Sequence, residues 1–170
     1  MAKAVFGICN DLQAQTILSD LQTAGFSNDD ISVLVPDTMG THDLGHEHHT
    51  KVPEGTATGV STGGLLGGAL GWLAGIGALA IPGLGPFIAA GPIMAALSGA
   101  AVGAAVGGLT GALVGMGIPE YEAKRYEGKL REGNILISVH TEDADERRRA
   151  QEIMDRAGAQ DVSSSAEASV

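Results

Sequence analysis

Charge is missing from the middle of this chain. From Gly55 to Pro119 there is no Asp, Glu, Lys, Arg or His, a gap of 65 residues in a 170-residue chain. Such a stretch has no ion pairs and no solvated charged face, so it needs apolar surroundings. Aromatic residues are scarce, at 4% of the chain, while glycine numbers 26. A core built mainly on large rings is therefore excluded, and close backbone approach replaces side-chain bulk. Cations are in the minority: ten Lys and Arg against twenty Asp and Glu give a formal net charge of −10. That balance repels phosphate backbones and argues against nucleic acid as a partner. The single cysteine, Cys9, rules out an intrachain disulfide and fits a reducing compartment. Met1 to Leu12 lacks an apolar core followed by a cleavage site, so no secretory signal is expected.

What is present divides into blocks. Residues 1–54 carry eight acidic and two basic residues, and residues 120–170 carry twelve and eight. In the first block, Lys3 to Cys9 (KAVFGIC) has strand length, and Asn10 with Gln13 has capping-box spacing before a helix. Ala14, Ile17, Leu18 and Leu21 form one apolar helical face, and Gly25 supplies the left-handed stop. Ile31 to Val35 reads as a second strand. The last block repeats this grammar. Asn134 to His140 is a strand, and Asp143 and Glu146 cap a helix with Ala150, Met154 and Ala157 inside and Gly158 as its stop. Agreement of strand, cap, face and stop predicts two βαβ halves joined in one α+β, ferredoxin-like domain with both helices on one side of the sheet.

The central block repeats glycine every fourth residue: Gly59, Gly63, Gly67, Gly71 and Gly75, then Gly99, Gly103, Gly107, Gly111 and Gly115. Ile81 to Phe87 (IPGLGPF) separates the runs as a turn, which predicts a glycine-zipper helical hairpin inserted between the second and third strands. As helices, Val60 to Ile81 spans about 33 Å and Ile93 to Ile118 about 39 Å, enough to cross a hydrocarbon core of about 30 Å. Each glycine costs about 1 kcal/mol against alanine in a water-exposed helix, so these arms need packing or a bilayer to persist. A four-residue period drifts about 40° per repeat, giving a stripe wider than one antiparallel partner covers. The stripe is expected to pack against further copies of the chain. A flexible Gly/Ala linker fits less well, because Leu65, Leu66, Leu70, Trp72 and Leu73 interrupt the small residues. A hairpin buried in a soluble assembly stays open beside the membrane reading.

The expected organisation is therefore an N-terminal half over 1–40, a His-rich loop over 41–54, the hairpin over 55–118, an amphipathic helix with the second half over 119–163, and a disordered tail over 164–170. Tyr121, Lys124, Arg125, Tyr126 and Lys129 resemble the aromatic and basic flank of a cytoplasmic membrane face. Glu120–Lys124 and Glu127–Arg131 equally fit i,i+4 pairs on a solvated helix. His42, His46, His48 and His49 form a cluster able to bind a transition metal, although no Cys or rigid scaffold accompanies them and a solvated polar loop explains them as well. No phosphate loop follows Gly83 and Gly85, and no nucleophile or paired-acid arrangement is specific enough for catalysis. No enzymatic activity and no resident cofactor are expected.

Three stretches carry a resemblance: AVFGICNDLQAQTILSDLQTAGFSNDDISVLV, GALAIPGLGPFIAAGP and GMGIPEYEAKRYEGKLREGNILISVH. Together they resemble a bacterial family of general stress or low-temperature-induced proteins, related to heat-induced stress proteins. The resemblance implies expression under stress and a glycine-rich centre, and it brings no reaction and no catalytic residue. The expectation is a non-enzymatic protein that self-assembles and associates with the cytoplasmic side of the inner membrane through its hairpin. The alternatives are a soluble cytoplasmic homo-oligomer with hairpins in a shared apolar core, and a metal-binding or sensing module built on the histidine loop.

Overall fold

A computed structural model describes residues 3–36, 77–81, 85–91, 109–111, 113–115 and 117–166. The chain is α+β, mixing helices with an antiparallel sheet. In order, the elements are β1 (Lys3–Cys9), α1 (Asp11–Thr23), β2 (Ile31–Pro36), β3 (Gly77–Ile81), β4 (Gly85–Ala90), α2 (Glu120–Arg131), β5 (Ile135–Thr141), α3 (Ala144–Arg156) and β6 (Gln160–Ala166). Residues 109–111 and 113–115 are also helical.

Local chemistry sets the ends of these elements. The Asn10 side chain accepts the Gln13 N–H at 2.9 Å, and the Gln13 side chain accepts the Asn10 N–H at 2.9 Å, closing the box at the start of α1. At the start of α3, Asp143 accepts from the backbone of Asp145 and Glu146, while the Glu146 carboxylate takes the N–H of Glu142 one residue earlier. Gly25 and Gly158 adopt φ of +90° and +86°. Phe26 and Ala159 then donate back to the carbonyls of Leu21 and Met154, which satisfies carbonyls that the last helical turn leaves open.

The sheet has six strands in the order β3-β4-β2-β5-β1-β6, every neighbouring pair antiparallel. β1 and β5 are neighbours, in register from Lys3 opposite Thr141 to Cys9 opposite Ile135. Side chains alternate between two faces. On the first face, Val5, Cys9, Ile31, Val33, Ile135, Ile137 and Val139 pack with Ala14, Ile17, Leu18 and Leu21 of α1 and with Ala150, Ile153 and Met154 of α3. On the second, Ala4, Phe6, Ile8, Leu34 and Leu136 pack with Phe87 and Ala89 of β4, with Leu109, Leu113 and Ile118, and with Ala123, Tyr126 and Leu130 of α2. Both faces of the sheet are covered, which is why β1, β2 and β5 read as continuous apolar runs rather than alternating ones.

Three expectations change. Gly77–Ile81 was assigned to the first helical arm and Phe87 to the turn, yet both lie in strands: β3 pairs with β4, and β4 extends the sheet beside β2. Glycine and proline weaken a helix there, while the open edge of β2 supplies hydrogen-bond partners for the backbone of β4. The expected tail begins at 164, but Ser164, Ser165 and Ala166 pair with Val5, Ala4 and Lys3 in β6. Backbone pairing holds a serine-rich segment that side-chain hydrophobicity alone does not mark as a strand. The remainder of the expected hairpin, residues 55–76 and 92–108, lies outside the described residues.

Candidate functional site

The helix α2 ties the end of the charge-free segment and the last strand to the second face of the sheet. The helix starts at Pro119, whose fixed φ and missing N–H suit a helix end, and stops at Gly133 with φ of +94°. Its inner stripe is Ala123, Tyr126 and Leu130. The Tyr126 ring is 1% exposed and stands 6.4 Å from the Phe6 ring in a tilted arrangement.

One flank of α2 grips β6. The Tyr126 hydroxyl donates to the Asp161 carbonyl at 2.8 Å and lies 2.6 Å from the Ser163 hydroxyl, which donates to Glu122 at 3.0 Å. Arg125 pairs with the Asp161 carboxylate at 3.1 Å, and Lys129 donates to the Gln160 side chain at 3.1 Å. Asp161 holds a φ of +51°, which brings both its carbonyl and its carboxylate to α2. Burial pushes the Tyr126 hydroxyl up to about 12, with Ser163 acting in the opposite direction. The polar groups of this small cleft engage one another, and the arrangement fastens β6 to α2.

The other flank grips the exit of the charge-free segment. Glu127 accepts from the Thr110 N–H at 3.1 Å and from the Thr110 hydroxyl, and its second oxygen accepts from Arg131 at 2.9 Å. Burial raises the Glu127 pKa, but the donors from Thr110 and Arg131 outweigh it and hold the carboxyl below its usual value of 4.5. Leu109 and Leu113 on either side are buried at 1% and 0% exposure. β4 places Phe87 and Ala89 in the same apolar cluster. Two separate parts of the charge-free segment therefore dock on one face.

The expected membrane flank is rearranged by this docking. Tyr126 is buried against the sheet, while Arg125 and Lys129 are turned to β6. Tyr121 remains exposed with its hydroxyl on Glu122, and Lys124 pairs with Glu120 at 2.7 Å. The expected pairs Glu120–Lys124 and Glu127–Arg131 both form. Among the packing glycines, Gly111 and Gly115 are exposed, and a methyl at Gly115 meets nothing within 4 Å. Gly59, Gly63, Gly67, Gly71, Gly75, Gly99, Gly103 and Gly107 lie outside the described residues, as do His42, His46, His48 and His49. Among the described residues no group of His, Cys, Asp and Glu is placed to hold a metal ion, and no helix is long and apolar enough to cross a membrane.

Cys9 is buried, its Sγ donating to the Ile135 carbonyl at 3.7 Å, and burial with the Asp11 charge beside it pushes the thiol up to about 12. It is a packing residue. The Thr110–Glu127 contact was missed in the sequence, although one signal was there. Between Gly99 and Gly117, Thr110 carries the only side-chain hydroxyl, and a lone hydroxyl in apolar chain calls for a partner. No family model, curated protein or solved structure matches this chain.

Proposed function

We propose that this chain is a non-enzymatic, stress-associated protein. Its ferredoxin-like domain carries the charge-free, glycine-striped segment into self-assembly and into contact with the cytoplasmic side of the membrane. The domain assignment is supported by the partial order β2-β5-β1-β6 with α1 and α3 on one face, the arrangement that two βαβ halves reach when combined. The observation that carries the functional reading is the docking of Phe87 and Ala89 of β4 and of Leu109, Leu113 and Ile118 on a single sheet face. The chain between them, charge-free and small-residue-rich, is thereby tethered at both ends to one rigid domain. Such stripes pack closely against other helices in lipid or in a shared core.

A soluble homo-oligomer is the second reading, and one observation favours it. With β3 beginning at Gly77 and the second face occupied from Leu109, residues 55–76 and 92–108 of the charge-free segment remain, 22 and 17 in number. At helical rise the second covers about 26 Å, short of a hydrocarbon core of about 30 Å. Cell fractionation with a carbonate wash separates the readings. Retention in the membrane pellet supports bilayer association, and release as a large soluble particle rejects it in favour of the soluble assembly. In either case Gly67→Leu and Gly107→Leu are expected to reduce particle size on a sizing column, and unchanged size removes the stripe as the interface.

A further inference from the structure

One carboxylate fixes the point where the charge-free segment returns to the domain. Glu127 receives two donors from Thr110 and one from Arg131. The three donors come from two separate parts of the chain, and Glu127 itself is largely covered, with 21% of its side chain exposed. Hydrogen bonds to a charged group of this kind are worth about 1.5–3 kcal/mol each, more than an exposed i,i+4 pair. On the inner side of the same helical residues, Leu109 and Leu113 join Phe6, Phe87 and Tyr126 in the second core. On the outer side, Gly111, Val114 and Gly115 are exposed. The docked stretch therefore has one face spent on the sheet and one face of small residues open.

We propose that Glu127 is a latch that holds residues 109–118 on the second face of the sheet, and that its release frees Leu109 and Leu113 to join contacts between copies of the chain. The latch rests on the self-assembly reading for its consequence, but its existence is testable separately. While it is closed, the two leucines are committed within one molecule. When it opens, they add two large apolar side chains to the charge-free, glycine-rich sequence that precedes them. Arg131 holds the Glu127 carboxylate from below, at the next turn of α2, so Thr110 loses its partner when the carboxylate is removed.

The experiment is amide hydrogen exchange on the full chain, comparing the wild type with Glu127→Ala and Thr110→Val, together with particle size at the same concentration. Glu127→Ala is expected to raise exchange across the described residues of 109–118 by at least about 10- to 150-fold, the factor that losing one such bond of about 1.5–3 kcal/mol corresponds to. Thr110→Val, which removes only the hydroxyl donor, is expected to give a smaller rise over the same residues. α1 and α3 should keep their protection in both variants. Unchanged exchange at 109–118 in both variants overturns the latch, as does equal loss of protection in α1 and α3, which means a single cooperative unit. A local rise accompanied by larger particles supports the whole proposal. A local rise with unchanged particle size leaves the latch standing and overturns the role of Leu109 and Leu113 in contacts between copies.

Discussion

Gly91, the residue after β4, lies against the carbonyl of Ile31 at the start of β2. A methyl built on Gly91 stands 2.0 Å from that oxygen, and Gly91 itself holds φ of +82°. No side chain fits there, because both the space and the backbone conformation exclude it. This contact closes the junction where the charge-free segment joins the sheet.

Gly91→Ala is therefore expected to destabilise the domain by about 3 kcal/mol, combining left-handed strain with an overlap that must push β2 and β4 apart. Gly25→Ala provides the comparison. Its φ is +90°, but nothing lies within 4 Å of the added methyl, so about 1 kcal/mol is expected. Urea unfolding of the two variants measures the difference, and equal midpoints would refute the close approach at Ile31.

The Tyr126 hydroxyl gives a prediction at high pH. Its pKa is raised by burial from 10.0 to about 12 in the folded protein, so the native state keeps this proton where the unfolded chain has lost it. Stability from this group is fully present below pH 10 and is lost as pH rises from about 10 through 12. Tyr126→Phe should flatten that loss and, at neutral pH, cost about 1 kcal/mol for the bond to the Asp161 carbonyl. Tyrosinate absorbance during an alkaline titration, set beside unfolding free energies, provides the check.

Cys9 is expected to resist a neutral-pH thiol reagent in the native protein. The thiol is buried and its pKa stands at about 12, so almost none is thiolate. Labelling should proceed only as fast as the domain opens and should accelerate in denaturant. Rapid labelling of the folded chain is the result that would contradict this placement.

The two caps offer a matched pair. Asn10→Ala and Asp143→Ala each remove the side-chain acceptor at a helix start, and each should cost about 1 kcal/mol. Asn10→Ala is expected to disturb the link between the helices as well, because Gln13, its partner in the box, donates to the Gly158 carbonyl at 2.9 Å. Proton exchange at the C-terminal end of α3 reads that second effect. Its absence would show that the two halves are capped independently.

Much of the first sheet face was legible in the sequence. The Asn10–Gln13 box, the stop at Gly25 and the face Ala14, Ile17, Leu18 and Leu21 are local patterns, each fixed by residues within a few turns of one another. The same is true of Asp143 and Gly158. The second face was not legible. Ala123, Tyr126 and Leu130 declare an amphipathic helix, but nothing in their spacing says whether lipid, solvent or the far side of a sheet receives them. Tyr126 was assigned to a membrane flank for that reason. Likewise, Gly77–Ile81 and Gly85–Ala90 are short apolar runs whose periodicity does not separate strand from helix, and the edge of β2 that β4 pairs with decides between them.

The order of the charges, the glycine period and the capping residues were settled by the amino-acid sequence alone, because each is a property of neighbours along the chain. The tertiary structure alone decided that β4 extends the sheet, that α2 closes its second face, and that Thr110 finds Glu127 and Ser163 finds Tyr126. Those contacts join residues from separate elements. Their energies depend on which surfaces the fold has left uncovered, and no local pattern records that.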